Sequence, residues 1–398
     1  MMHQNLPTAS HTTPREPPIG LMALGTAVSI ACIYLSQPIL SLLASVLNGS
    51  VREMGSITTV TQIGFAAGIV FLVPLGDVLP KKRLIFVKLV LLAVTLVLTG
   101  LAPSIRVLSI CSLGIGLFAT AAQDFVPLAA ELSRAENRGR AIGTVMGGLL
   151  LGILGSRVLS GVLADWGGWR APFFATSVLV FLVAVLVWRR VPSVEQRHVS
   201  SYPALLRSMA ALISAHPLLS LSTIGQGFLG FTFSAFWTML SFHLSAPPFN
   251  LGPSQIGAFA LAGFAGAGIA PVAGRLSDRH GPLFSIRWGL GLVALSFASM
   301  LVFPGSLLAL AAAAVVFDLG VQMAMVSHQT VIYSLEPSAR SRLNAVYIGG
   351  LFAFFALGSF TAGLAYSFAR WNGVVVLCLA SCALAAVAHV ALTRRWHR

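Results

Sequence analysis

Long apolar stretches, almost free of charge, recur along the whole chain. A helix needs about 20 apolar residues to cross the ~30 Å hydrocarbon core of a bilayer. Of the 398 residues, 57% are hydrophobic and only 9% are charged, whereas a soluble domain carries roughly 25% charged residues. A soluble fold could not bury this much apolar surface. The sequence therefore predicts an all-α membrane protein with many spanning helices.

Hydropathy divides the chain into two groups of six apolar segments. The first group is predicted at residues 20–47, 55–76, 84–101, 107–131, 141–164 and 170–188, and the second at 218–244, 254–276, 283–303, 306–333, 341–368 and 372–393. An even number of spans places both ends of the chain on the same side of the membrane.

Basic residues occupy alternate loops. One face carries Lys81, Lys82, Arg83, Arg134, Arg138, Arg140, Arg275, Arg279, Arg340, Arg342, the arginines of residues 189–216, and Arg394, Arg395 and Arg398; the other carries only Arg52, Arg106, Arg170 and Arg370. We call the first of these the basic face. By the positive-inside rule it is cytoplasmic, as are both termini. The net charge of +14 thus reflects topology, and no nucleic-acid partner is expected.

These features predict five regions. Residues 1–18 are polar and rich in proline and form a disordered cytoplasmic tail. Residues 19–188 form an N-terminal six-helix bundle, 189–217 a polar cytoplasmic linker, 218–393 a C-terminal six-helix bundle, and 394–398 a second tail. The first apolar segment lacks the flanks of a cleavable signal peptide. We expect a multi-pass protein of a bacterial inner membrane.

The two bundles repeat each other. A shift of about 200 positions aligns Gly147 and Gly148 with Gly349 and Gly350, Gly161 with Gly363, Trp169 with Trp371, and Arg138 and Arg140 with Arg340 and Arg342. Two parallel repeats joined by a linker are one arrangement found in transporters, and they place the substrate site between the halves near the membrane midplane.

Several motifs resemble a known family. VPLGDVLPKKRLI at 73–85 and GRLSDRHGP at 274–282 are similar to the two signature loops of the major facilitator superfamily, although the first departs at Val73, Val78 and Pro80. Residues 34–40, 138–161 and 318–350 resemble its drug/proton antiporter-like (AraJ-like) efflux permeases. The resemblance implies twelve transmembrane helices in two pseudo-symmetric bundles and secondary active transport.

Asp318 is the leading candidate for coupling to protons. It lies near the middle of a predicted span, where an ionisable group is costly and marks a functional site. Gln322, Met325 and Gln329 follow on the same helix face, so this stripe should face a cavity. The carboxylate either takes up and releases a proton during transport or bonds a neighbouring donor and holds two helices together.

Arg157 is the second intramembrane charge, set among glycines in the fifth span. The glycines allow another helix to approach closely. A buried arginine needs an anion. Either a carboxylate of the protein, which we favour, or an anionic group of the cargo would supply it.

Other candidates rest on single residues. Asp124 can take part in proton transfer, but the sequence favours a structural bond to Arg134, Arg138 or Arg140. His328 suits a proton step by its ordinary pKa, although a lone histidine is more often a packing residue. Lys88 is expected to extend its amino group to the membrane surface. Gln37, Gln226 and Trp237 are predicted cavity residues, because each shares a helix face with other polar or aromatic groups.

Asp77 and Asp278 lie in the two signature-like loops. The resemblance implies that these loops act as a latch that favours one conformation, with Asp77 paired near Arg134, Arg138 and Arg140, and Asp278 paired near Arg340 and Arg342. Arg83 and Arg279 belong to the same loops. Surface charge without such a function is the alternative.

Taken together, these features predict a secondary transporter that exports a small organic molecule by alternating access, in exchange for protons. Symport or uniport that imports a nutrient such as a sugar or amino acid is the alternative within the same fold, and a membrane scaffold or sensor is the alternative from another class. No nucleotide-binding motif, metal-ligand spacing or catalytic constellation is evident. We therefore expect a monomeric, non-enzymatic protein without cofactors that uses the proton gradient.

Overall fold

The structure, a computed structural model, describes residues 17–193, 201–267, 275, 279–336 and 339–396, and most of these residues are helical. The first half contains α1 (Ile19–Ala31), α2 (Leu40–Leu47), α3 (Val51–Phe71), α4 (Lys81–Gly100), α5 (Ile105–Ala119), α6 (Ala121–Leu132), α7 (Arg138–Gly167) and α8 (Ala171–Arg190). The second contains α9 (Tyr202–Ala215), α10 (Pro217–Ser245), α11 (Pro253–Ala267), α12 (Pro282–Val302), α13 (Leu307–Tyr333) and α14 (Arg340–Trp396).

These helices agree with the predicted twelve spans. Within the described ranges, nine helices are long and apolar enough to cross a membrane, and α10 adds a tenth when it is taken together with α9. α14 holds two spans, because Ala369 and Arg370 leave the helical conformation and break it. α14 also continues to Trp396, so part of the predicted C-terminal tail is helical.

Two predicted spans are interrupted. The first divides into α1 and α2, with 3₁₀ turns at Cys32–Tyr34 and Gln37–Ile39 between them. Pro38 lies in this break and has no N–H to donate. The fourth divides into α5 and α6 at Thr120. Both interruptions lie inside the predicted apolar segments, which hydropathy alone treats as continuous.

The predicted polar linker contains a helix. α9 meets α10 at an angle of 89° and lies at the basic face. The Tyr202 hydroxyl donates a hydrogen bond to the Phe71 carbonyl of α3 at 2.8 Å, while Leu212 packs with Leu343 and Tyr347 of α14. α9 therefore contacts both halves. Residues 194–200, which precede it, lie outside the described residues.

Equivalent contacts recur in the two halves at an offset of 202 positions. Gly55 in α3 packs against the Ser359 carbonyl in α14, and Gly257 in α11 packs against the Arg157 carbonyl in α7. Backbones with positive φ recur at the same offset, at Asn48 and Asn250 and at Gly168 and Arg370. The pseudo-symmetry seen in the sequence is thus present in the helix packing.

Glycines in α7 hold the fifth span against its neighbours. Gly148 and Gly152 pack against the carbonyls of Ala23 and Ala27 in α1. Further along the same helix, Gly161 packs against the Pro253 carbonyl at the start of α11. A side chain at any of these positions would collide with backbone atoms. α7 is therefore fixed to α1 within its own half and to α11 in the other half.

Polar contacts join the two halves away from the basic face. Gln62 donates to Ser234 Oγ at 2.8 Å, and the hydroxyls of Thr59 and Ser359 lie 2.8 Å apart. Two further bonds run from Ser41 N to Ser241 Oγ (3.2 Å) and from Ser254 N to Asp165 Oδ2 (3.1 Å). The halves therefore meet on the face opposite the basic one.

Candidate functional site

A central cavity of about 590 Å³ lies between the two halves. Its walls come from α1, α3, α6 and α7 in the first half and from α10, α11, α13 and α14 in the second. It reaches the basic face at Tyr333, Arg340 and Ser341, and Arg157 and Asp318 lie near its inner end. This volume falls in the range of about 300–1,000 Å³ that holds small organic ligands.

Arg157 enters the cavity wall from α7, where it is 2% exposed. Its Nε donates to Gln37 Oε1 at 3.0 Å, and its Nη1 donates to the Ile153 carbonyl at 3.0 Å. The guanidinium carbon lies 4.6 Å from the ring centre of Tyr34 and 4.5 Å from that of Trp237. Nη2 is buried and has no hydrogen-bond partner among the described residues.

Asp318 faces the cavity from α13 and is 6% exposed. Gly263 of α11 packs against its Oδ2, so a larger residue at 263 would collide with the carboxylate. Its Oδ1 is buried without a partner among the described residues, and so is Trp237 Nε1, although the indole lies close enough to act on the carboxylate. The structure therefore gives little support to Asp318 as a firmly bonded link between helices.

Arg157 and Asp318 come from opposite halves and act on each other electrostatically. The described ion pairs do not include them, so they are not within the 4 Å of a salt bridge. Asp318 is thus a protein carboxylate that acts on Arg157 without forming a salt bridge with it. Each charge instead keeps one buried atom free.

The polar stripe on α13 lies along the cavity. Gln322, Met325 and Gln329 all line it together with Asp318, at the helical spacing that the sequence predicts. From α10, Gln226 also lines the cavity, and its amide nitrogen donates to the Val321 carbonyl at 3.4 Å while its oxygen has no partner among the described residues. The wall thus offers several amide groups to a ligand.

Gln37 and Trp237 lie one layer behind the cavity wall. Both are buried, and neither is among the lining residues. Each contacts Arg157, Gln37 by its amide oxygen and Trp237 by its ring. This placement corrects the expectation that they line the cavity. Their contacts hold the Arg157 guanidinium in position.

Comparison with known proteins agrees with this architecture. The sequence profile described as Major Facilitator Superfamily matches residues 22–304 and 222–397. The chain belongs to this superfamily. Among similar proteins, the uncharacterized transporter YgaY of Escherichia coli O157:H7 is 39% identical over 381 residues, which cover 96% of each chain. The probable transporter SCO4007 of Streptomyces coelicolor is 31% identical over 382 residues, 92% of this chain and 88% of that protein.

Solved structures show the same fold for this superfamily member. A bacterial homolog of the human lysosomal transporter Spinster, in an inward-facing and unoccupied conformation, superposes with a TM-score of 0.75. That comparison covers 94% of this chain and 95% of the other, at 17% sequence identity. At this identity the likeness concerns the fold alone.

The pairing of Asp124 differs from the expectation. Lys88 Nζ donates to Asp124 Oδ2 at 2.7 Å, and both side chains are 3% exposed. Asp124 therefore bonds a lysine of α4 and not an arginine near the 134–140 loop. Lys88, in turn, does not extend to the membrane surface, because a buried carboxylate lies within its reach. Neither residue lines the central cavity.

His328 points away from the cavity. It is 1% exposed, packs against Gly225 of α10 and lies near His389 of α14. It is not among the lining residues. This placement favours the packing interpretation over a proton step within the cavity.

The first signature-like loop differs from the implied latch in the charges that surround Asp77. The charges that act on Asp77 are those of Lys81, Glu131 and Arg342. Lys81 pairs with Glu131, and Arg342 belongs to the other half. This corrects the pairing of Asp77 with Arg134, Arg138 or Arg140. Asp278 lies outside the described residues.

The remaining latch arginines are exposed. Arg138 Nε donates to the Ala130 carbonyl at 3.2 Å, and Arg340 Nε donates to the Tyr333 carbonyl at 3.2 Å. Both bonds hold the start of a helix to the end of the preceding one. Arg83, Arg140 and Arg279 are also exposed, and none of them forms an ion pair with a described residue.

Several site residues were missed in the sequence. Gln62 joins the halves through Ser234 and Ser359, and its presence as a buried amide in a spanning helix is a signal that was available. Gly263 shapes the surroundings of Asp318, but no pattern in the sequence distinguishes it from other helical glycines. The sequence places Lys88 within a predicted span, but its partner Asp124 is 36 positions away on another helix.

Proposed function

We propose that the protein is a secondary transporter that moves a small organic molecule through the central cavity by alternating access and couples this movement to protons through Asp318. One observation carries the proposal: a buried carboxylate with a free oxygen lies near the inner end of a cavity that both halves line. Ionisable groups at membrane depth are costly and mark proton relays and substrate paths.

The arrangement of the halves supports alternating access. They are joined by hydrogen bonds on one face and separated by the cavity toward the other. In parallel-repeat transporters a rocking motion of one bundle against the other exposes a central site to each side in turn. Asp318 and Arg157 belong to different bundles, so such a motion would change their separation and their access to water.

The direction of transport depends on how cargo and proton affect each other. Resemblance to drug/proton antiporters implies export. Antiport requires that cargo and proton do not occupy the site at the same time. Import by symport requires that they bind together. The unpaired Arg157 opposite Asp318 favours the second candidate, since neutralising the carboxylate leaves the guanidinium available to a cargo.

Proton flux in liposomes tests the proposal. Purified protein is reconstituted with a pH-sensitive dye inside, and candidate cargoes are added to the wild type, to Asp318→Asn and to Glu136→Gln. Glu136 is the matched control, because it is an exposed carboxylate in a turn of the basic face. We expect cargo-dependent proton movement in the wild type and in Glu136→Gln, and none in Asp318→Asn.

The opposite outcome would reject the coupling site. If Asp318→Asn moves protons with cargo as the wild type does, Asp318 is not the coupling residue. If no cargo that binds the protein moves protons, the transport is not proton-coupled. Growth tests separate the directions, because an exporter protects cells from a toxic cargo, an importer allows growth on a scarce one, and a scaffold does neither.

A further inference from the structure

We propose that the cargo is a small organic anion with an apolar body, that its acidic group binds Arg157, and that it binds together with a proton. This inference rests on the proposed function, since it names the substrate class of the same cavity. It also selects symport over the antiport that the sequence resemblance implies.

The donors of Arg157 leave one position for an anion. Nε and Nη1 are used by Gln37 and by the Ile153 carbonyl, and the rings of Tyr34 and Trp237 lie against the guanidinium. Nη2 carries two N–H donors and has no partner within the described part of the chain. A buried guanidinium is stable when an anion completes its hydrogen bonds. A carboxylate or similar group on the cargo can accept hydrogen bonds from Nη2.

The charge of the described cavity wall favours the same class. Arg157 and Arg340 are the cations among the described lining residues, and Asp318 is the carboxylate. The wall therefore has an excess of positive charge, which grows when Asp318 is protonated. With Asp318 protonated, the inner end carries the charge of Arg157 alone, so a cationic cargo would be repelled there and a neutral cargo would leave Arg157 uncompensated.

The rest of the cavity wall is suited to an apolar cargo body. Aromatic rings from both halves line the cavity, including Phe65, Phe233, Phe352 and Phe355, and Phe65 and Phe352 lie 4.3 Å apart between ring centres. Such surfaces bind apolar or aromatic groups. The free oxygen of Gln226 can accept one hydrogen bond from the cargo. An amphipathic monoanion, with its acidic group at Arg157 and its apolar body against the aromatic rings, matches this cavity.

The position of Asp318 links the anion to a proton. Among the described residues, Arg157 from α7 is the charged group that faces Asp318, with Tyr34 beyond it. α11 and α10 contribute Gly263 and Trp237 on their sides, and α12 packs Gly289 and Val293 against the next turn of α13, at Gly320. None of these four residues titrates. An anion at Arg157 therefore adds negative charge near Asp318 and favours its protonated form.

Matched ligand series test the inference on the purified full-length protein. Naphthyl, phenyl and octyl compounds are each supplied as carboxylate, amide and ammonium ion, and binding is followed by thermal unfolding and tryptophan fluorescence. We expect the carboxylates to bind best. Their affinity should rise as the pH falls over the range in which the cargo carboxylate stays ionised, by up to about tenfold for each pH unit, the limit for one linked proton.

Three variants assign the effects to residues. Arg157→Gln should weaken carboxylate binding by about 10- to 100-fold, the value of a charged hydrogen bond. Gln37→Glu supplies an internal carboxylate beside Arg157, so it should remain folded and lose the preference for carboxylates. Asp318→Asn should bind carboxylates without the pH dependence. Unchanged carboxylate preference in Gln37→Glu and in a folded Arg157→Gln would overturn the assignment.

The outcomes separate this inference from the proposed function. If amides or ammonium ions bind as tightly as carboxylates, or if no carboxylate binds, the substrate class is wrong whatever the liposomes show. If carboxylates bind through Arg157 while proton movement survives Asp318→Asn, the coupling site is wrong and the substrate class stands. Carboxylate binding that weakens as the pH falls would reject binding together with a proton.

Discussion

At the scale of single residues, two pairs of opposite charge lie within the described parts of the membrane-spanning helices. Lys88 and Asp124 form a closed pair at 2.7 Å. Arg157 and Asp318 act on each other without forming a salt bridge, and each keeps an unpartnered atom among the described residues. Two buried charges that form a direct salt bridge neutralise each other. Two buried charges without such a bond can still bind a proton or a ligand. This difference is why we assign structure to the first pair and transport to the second.

Breaking the closed pair should destabilise the protein. Lys88→Met leaves the Asp124 carboxylate buried without a partner, and loss of one member of a buried pair costs about 3–5 kcal/mol of unfolding free energy. The double variant Lys88→Met/Asp124→Leu should recover most of this loss, since no charge remains. Denaturant titration in mixed micelles measures both changes.

Glu131→Gln provides the comparison for that experiment. Glu131 pairs with Lys81 at the surface, where its side chain is 41% exposed, and exposed pairs contribute less than about 1 kcal/mol. Equal losses in Lys88→Met and Glu131→Gln, or a double variant as unstable as the single one, would contradict a structural role for the buried pair.

Which residues are charged and deep in the membrane could be predicted from the sequence, but their partners could not. Asp318, Arg157, Asp124 and Lys88 stand out because charges are rare in apolar segments. Their pairing depends on which helix faces which, and Lys88 meets Asp124 through the packing of α4 against α6. The stripe from Asp318 to Gln329 was predictable because it follows from the period of one helix.

At the scale of helices, α7 is held by glycines on two of its sides. Apolar length predicted where the spans lie, and the glycine-rich sequence predicted close packing. The helix that each glycine meets was not predictable, because glycines such as Gly147 face open space while the adjacent Gly148 touches α1. The break between α1 and α2 and the helix α9 in the linker were also missed, since hydropathy reports neither local bends nor short surface helices.

The neighbouring glycines 147 and 148 give a matched test of this packing. Gly148→Ala places a methyl group against the Ala23 carbonyl, and overpacking of this kind costs about 1–3 kcal/mol. Gly147→Ala meets nothing within 4 Å and should be neutral or stabilising by up to ~1 kcal/mol, because alanine favours the helix. Thermal unfolding in detergent compares the two variants, and equal effects would contradict the contact between α1 and α7.

At the scale of the whole molecule, the two bundles meet on the face opposite the basic one. Repeats in the sequence predicted two equivalent halves, and the recurrence of glycine contacts at one offset agrees with this. Which face is closed could not be predicted, because the same sequence must adopt more than one arrangement during transport. The network of Gln62, Ser234 and Ser359 consists of uncharged groups that hydropathy does not mark.

A cross-link on the closed face should stop transport without preventing binding. The Thr59 and Ser359 hydroxyls are 2.8 Å apart, so Thr59→Cys/Ser359→Cys should form a disulfide between the halves. The four native cysteines are buried and interfere little with selective oxidation. We expect oxidation to abolish transport, reduction to restore it, and ligand binding from the basic face to continue throughout. Transport that continues after complete cross-linking would exclude opening at this face.

Comparison of exchange with gradient-driven uptake in Asp318→Asn tests proton coupling at this carboxylate most directly. Exchange of labelled for unlabelled cargo between the two sides of a liposome requires the moving site but no net proton transfer. Accumulation driven by an imposed proton gradient requires both. We predict that Asp318→Asn, assayed with the tightest-binding carboxylate of the ligand series, keeps exchange and loses accumulation. Accumulation at the wild-type level, or loss of exchange as well, would contradict Asp318 as the coupling site.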